Sequence, residues 1–166
     1  MNGEVIFLKD RIVKINKDFL QNMKNKALRN FSGKIRYCFH DKEDAGMQEM
    51  LFVIPREGYA RPHMHEDVAE SHVIVEGEGY CILFDDTGDI LDSFKVSPEY
   101  NFIYRISKQI WHMVIPISKQ MVIYEVREGK FTDGTNIFPE WAPEEKEKEK
   151  IKKYRADLLK QIGGVI

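Results

Sequence analysis

The chain has 166 residues, 43% hydrophobic and 31% charged, a balance that suits one folded domain and not a disordered or membrane-embedded chain. A net charge of −2 with scattered lysines excludes a global electrostatic case for nucleic acid. The opening MNGEVIFLKDR lacks the build of a signal peptide, no apolar run is long enough to cross a bilayer, and two cysteines, Cys38 and Cys81, are too few for a disulfide framework, so a cytoplasmic protein without a membrane partner is expected.

Residues 4–8 (EVIFL) and 12–15 (IVKI) read as short strands around a Lys9-Asp10 turn. A helix follows, with Asn16 as its N-cap, Phe19, Leu20, Met23, Ala27, Leu28 and Phe31 at helical spacing, and Ser32-Gly33 as its stop. From Lys34 to about Arg127 the chain turns into short β-rich runs: KIRYCFH, MQEMLFVI, ARPHMH, AESHVIVE, GYCILFDD, DILDSFKV, YNFIYRI, WHMVIPI and QMVIYEV. Gly- and Asp-rich breaks divide them, which predicts an antiparallel sandwich or barrel. No Gly-rich loop opens a helix, so a dinucleotide-binding fold has no support. The tail from Glu144 is a charged helix whose stripe of Ile151, Tyr154, Leu158, Leu159 and Ile162 is expected to pack on the chain's own barrel. The expected plan is a single domain, with strands and helix in 1–33, the barrel in 34–143 and the charged helix in 144–166.

The informative segment holds His63, His65 and Glu70, with Gly77 beyond. Two residues apart, the histidines would splay by about 200° on a helix, whereas a strand puts both imidazoles on one face. Pro62 favours the strand. Glu70 opens the next β-run after a short connection and can return beside them. Two imidazoles and a carboxylate from adjacent strands make a divalent transition-metal site, and His112, at the start of a distant strand, is the third imidazole that a barrel can bring in. Gly77 marks the tight turn that closes the second strand.

The spacing His63-x-His65-x4-Glu70-x6-Gly77, with Trp111-His112 further on, resembles the two motifs of the cupin superfamily. The chain is more closely similar to the WbuC-type cupin-fold metalloproteins found with bacterial O-antigen and exopolysaccharide genes. Arg36-Tyr-Cys38-Phe-His40, Gln48-Glu-Met-Leu, Arg61-Pro-His-Met-His65, Phe84-Asp-Asp-Thr-Gly88, Glu125-Val-Arg-Glu-Gly129 and Trp141-Ala-Pro-Glu-Glu145 carry the likeness, which spans roughly Ala27 to Glu145. The pattern departs at Glu57, where the general motif has glycine, at Ser107-Lys-Gln109 before His112, and at Pro116. The resemblance implies an all-β cupin jelly-roll barrel, here with a helix at each end, and one divalent metal (Zn, Fe, Mn or Ni) per chain on His63, His65, Glu70 and His112.

Around the ion, His72 shares a strand face with Glu70 and is the candidate proton carrier, a satisfied interior histidine being the alternative reading. Arg36, Cys38 and His40 alternate on one face, and Tyr59 and Arg61 share parity with the histidines. By resemblance His40, the reserve proton carrier, joins Gln48 and Glu125 as pocket residues, while Trp141 and Pro143 read as packing. An octahedral ion with four protein ligands keeps two positions open, which suits a small oxygenated substrate. The expectation is an enzyme acting on a sugar or nucleotide sugar in surface-polysaccharide synthesis, of isomerase or epimerase type, and a homodimer joined at sheet edges. A carbohydrate-binding or regulatory cupin and a metal-dependent dioxygenase are the alternatives.

Overall fold

Strand β1 (Glu4–Phe7) runs parallel to β2 (Ile35–Cys38), and α1 (Lys17–Arg29) lies between them in sequence. Strands β3 (Met47–Pro55), β4 (Glu70–Glu76), β5 (Gly79–Phe84), β6 (Ile90–Val96), β7 (Ile103–Ile106), β8 (Trp111–Pro116) and β9 (Gln120–Glu128) follow, and α2 (Lys148–Gln161) closes the chain. The computed structural model describes residues 3–30, 33–131 and 135–164. The strands form a six-stranded sheet in the order β1-β2-β3-β9-β4-β7 and a three-stranded sheet in the order β6-β5-β8. All pairings except β1 with β2 are antiparallel. This is the expected jelly roll with a helix at each end, built as two facing sheets rather than one ladder closed all the way round.

Alternation along each strand divides its side chains between two layers. Ile54, Ile74, Ile106, Met121 and Ile123 of the large sheet meet Cys81, Val96 and Val114 of the small one, which makes the interior. On the outer side of the large sheet, Leu51, Val53 and Val122 take Leu20, Met23 and Ala27 of α1. On the outer side of the small sheet, Ile82, Phe84, Met113 and Ile115 take Ile151, Leu158 and Leu159 of α2. Burying each such aliphatic side chain contributes about 1.5–3 kcal/mol before entropy is counted, so the helices are held by their apolar stripes and not by propensity.

Four expectations change. Residues 12–15 form no strand: β1 finds its partner in β2, so no hairpin develops, and Ile12 is 74% exposed. Leu28 leaves the apolar stripe of α1 and is 55% exposed; a position eight residues after Leu20 has rotated about 80° off its line. Residues 60–65 are extended but make only isolated bridges, His63 with His112 and Met64 with Ile137. The tail helix begins at Lys148, after a turn over 144–147. Asn16 does cap α1, its side-chain oxygen accepting from Phe19 N at 2.9 Å. Phe31 and Ser32, expected in the stripe and the stop of α1, lie outside the described residues.

Gly77 sits between β4 and β5 with φ +82°, and a Cβ built there would stand 2.5 Å from Gln120 O. Replacing it by alanine combines left-handed strain with a backbone clash, and the expected loss is about 2 kcal/mol or more. A urea-denaturation midpoint unchanged from wild type would count against that account of the turn.

Candidate metal centre

The register of the large sheet sorts its inner face into rows. Gln48, Arg127, Glu70 and Ile106 stand opposite one another on β3, β9, β4 and β7. The next row is Cys38, Met50, Glu125, His72 and Tyr104. Arg36, Phe52, Ile123 and Ile74 make the third, mostly apolar row. Ionisable groups therefore gather at one end of the sandwich and hydrocarbon seals the floor beneath them.

Three imidazoles close over Glu70. His112, the second residue of β8, points inward and is 2% exposed, whereas Trp111 faces the α2 side and packs against Trp141. His63 and His112 exchange main-chain hydrogen bonds at 3.1 and 2.9 Å, and their ring centroids lie 4.4 Å apart. The altered loop before His112 is accommodated by Gln109, whose φ is +61° and whose N–H donates to His65 O at 2.7 Å. Ligand atoms of His63, His65, Glu70 and His112 all lie within 4.8 Å of one another.

Hydrogen bonding behind the rings fixes which nitrogen is free. The Nδ1 atoms of His63, His65 and His112 lie 3.0, 2.8 and 2.9 Å from the carbonyls of Arg61, Thr135 and Ile110. A carbonyl only accepts, so each Nδ1 carries a proton and each neutral ring presents an Nε2 lone pair to the centre. His112 Nε2 then stands 2.7 Å from Glu70 Oε1, yet neither atom has a hydrogen-bond partner. Two buried acceptors at that distance repel unless a cation lies between them. The donor set of three imidazole nitrogens and a carboxylate fits a divalent transition ion.

Protons compete with an ion for this centre. Burial pushes the Glu70 carboxyl up, but the charges of His72 and His112 outweigh it and hold Glu70 well below the usual carboxylate range. Burial works against the His65 cation, and the Glu70 hydrogen bond more than offsets it, leaving His65 above its ordinary value. Burial pushes His63 down to about 3. Because His65 holds its proton to higher pH than a free imidazole, an incoming ion must displace it. Metal uptake at pH 6 is therefore expected to release about one proton, and affinity to fall roughly tenfold per pH unit as pH drops below the raised His65 value. Titration calorimetry in buffers of different ionisation enthalpy measures the release; none at pH 6 would contradict it.

Beside this cluster, His72 places Nδ1 2.8 Å from the Tyr104 hydroxyl, and its Nε2 lies 3.4 Å from Glu125 Oε2 and 3.5 Å from Glu70 Oε1. Burial lowers its pKa, and the two carboxylates raise it further than that. Glu70, His72 and Glu125 form a second compact group that shares Glu70 with the first. Both open into a cavity of about 570 Å³.

The other residues singled out in the sequence also line this cavity, in different states. Gln48 is 2% exposed, and its amide donates to Glu43 O and Ala45 O, bracing a loop. Tyr59 donates its hydroxyl to Pro143 O, and Arg61 donates to Pro139 O and Ala142 O and lies 5.2 Å over the Phe138 ring. His40 answers the main chain of Glu49 at 3.0 Å and belongs to neither compact group. The Arg36 guanidinium makes no hydrogen bond or ion pair among the described residues, although its main chain belongs to the β1–β2–β3 ladder. Sequence reasoning gave no role to Arg127 or Tyr104. Arg127 shares parity with Glu125 on β9, a signal that was open to reading.

A family described as a domain of unknown function (DUF6016) matches residues 15–96, a span that holds His63, His65 and Glu70 and stops before His112. No curated protein matches the chain. Among solved structures, the capsular polysaccharide assembling protein CapF from Staphylococcus aureus is similar at 18% identity and a TM-score of 0.54, over 63% of this chain and 31% of CapF. An oxalate decarboxylase is similar at 14% identity and a TM-score of 0.50, over 62% of this chain and 27% of that one. The chain thus spans less than a third of the length of either, and at these identities the likeness is one of fold. That fold is the cupin fold.

Proposed function

We propose that this cupin-fold chain is a metal-dependent enzyme that acts on a sugar or nucleotide sugar in bacterial surface-polysaccharide synthesis, as an isomerase or epimerase. The observation that carries the reading is the convergence of three carbonyl-anchored imidazoles on a buried carboxylate, with a protonatable histidine next to them. When bound, a divalent ion such as Fe, Mn, Ni or Zn supplies Lewis acidity toward a substrate oxygen. His72 holds a proton between Tyr104 and Glu125, inside the cavity and outside the four-ligand group. Isomerisation and epimerisation remove a carbon-bound proton and return it, and His72 with Glu125 is suited to that exchange. The polysaccharide assignment rests on the WbuC-type resemblance, and the name of the structurally similar CapF accords with it.

A reducing, cytoplasmic setting accords with Cys38 and Cys81, both buried and unpaired. Dimerisation would use the open edge at β1, where Val5 is 46% exposed. The test of function is incubation of metal-replete protein with a panel of nucleotide sugars in deuterated water. Deuterium at a sugar carbon supports the reading. Neither exchange nor conversion across the panel, with a full equivalent of metal bound, would replace it with a non-enzymatic carbohydrate-binding cupin.

A further inference from the structure

We infer that the ligand of this cavity carries a carboxylate, held by Arg127 and Arg36 while its neighbouring hydroxyl or carbonyl oxygen reaches the metal centre; its class is a hydroxy acid or a sugar acid. The inference rests on the metal-centred reading above and narrows its substrate.

Arg127 is the observation that leads to it. Its Cα stands directly opposite Glu70 in the β4–β9 ladder, and the residue is 4% exposed. A buried guanidinium is normally paired with a carboxylate. This one has no ion pair among the described residues. Its Nη1 reaches only the neutral Asn136 Oδ1, at 3.4 Å, its Cζ lies 5.1 Å from the centroid of the Phe131 ring, and its Nε has no partner. The nearest acids are engaged elsewhere: Glu70 faces His65 and His112, and Glu125 faces His72. What remains is a fork of donors in the wall of the same cavity, shaped for two coplanar oxygens.

Arg36 adds a second such group. It lines the same wall from β2, two rows from Glu70, with its guanidinium unpartnered among the described residues. With the histidines counted as neutral, the formal charges lining the cavity cancel, four cations against four carboxylates. A divalent ion then leaves two positive charges in a space whose floor is hydrocarbon. A neutral diol would leave them uncompensated; a carboxylate compensates one and satisfies Arg127. A phosphate offers similar charge but a tetrahedral face, so it belongs among the alternatives to be tested.

Calorimetric titration of metal-replete, full-length protein provides the test, with ligand pairs that differ only in the acid: lactate against propane-1,2-diol, and D-glucuronate against D-glucose, with glucose 1-phosphate as the phosphate arm. The acid of each pair is expected to bind at least tenfold tighter. Arg127→Met and Arg36→Met should each cut that preference by about tenfold or more at unchanged metal content, and Arg127→Lys should restore part of it. If Arg127→Met fails to fold by circular dichroism, Arg36→Met decides. Equal binding of acid and neutral partner, a preference that survives both substitutions, or glucose 1-phosphate binding tighter than glucuronate would each overturn the inference. Metal content measured on the same samples separates the two readings. A protein that takes up no metal but still shows an arginine-dependent acid preference would sink the metal-centred function and the ligand's contact with the ion, and leave only the carboxylate on the arginines standing.

Discussion

Alanine at both His63 and His65 is expected to reduce bound metal from one equivalent per chain to none. The two residues supply two of the three imidazoles, and what remains is Glu70 with His112. A lone imidazole and one carboxylate do not hold a transition ion against dilution or chelator. The change should also register as stability. A ligand that binds only the folded state at a hundredfold excess over its Kd contributes about 2.7 kcal/mol, so the chelator-sensitive part of the melting temperature should vanish in the variant. Elemental analysis of protein purified without added metal, with melts in the presence and absence of chelator, measures both. A full equivalent retained in the double variant would remove these residues as ligands.

Glutamine in place of His72 is expected to act on turnover alone. The amide keeps a hydrogen-bonding group toward Tyr104 but cannot carry a proton across the relevant pH range. Losing a positioned general acid or base costs on the order of 10²-fold or more. Metal content should stay at one equivalent, because His72 lies outside the four-ligand group. Solvent-deuterium incorporation into the nucleotide sugar is the readout. Unchanged exchange in the variant would move the proton carrier elsewhere, with Glu125 next in line.

Most of the site was legible because its signals are local. A two-residue spacing reports a shared face wherever the chain is extended, and it did so for His63 and His65 although no regular strand forms there. The same parity paired Glu70 with His72 on β4. The packing of α1 and α2 on the outer faces of the two sheets followed from their periodicity. What escaped depended on partners distant in sequence. Nothing in residues 4–15 announces that β1 would pair with β2, across the whole of α1, instead of folding back on residues 12–15. The meaning of Arg127 appears only once β9 is set between β3 and β4, which places it opposite both Gln48 and Glu70. His112 was legible only as a histidine opening a distant β-run that a barrel could bring in, and its main-chain pairing with His63 shows why the departures in the preceding loop do not displace it.

The ligand-bearing segment 59–65 is tied at nearly every other residue to the connection that leads to α2. Thr135 O orients His65, Met64 pairs with Ile137, Arg61 grips the carbonyls of Pro139 and Ala142, and Tyr59 holds Pro143. Thermodynamic reciprocity then makes the ion a rivet for the tail: whatever energy the seated tail lends to ion binding, the bound ion returns to the seating of the tail. Loosening of residues 135–143 would then weaken the hold on an ion, and loss of the ion would loosen that connection in turn.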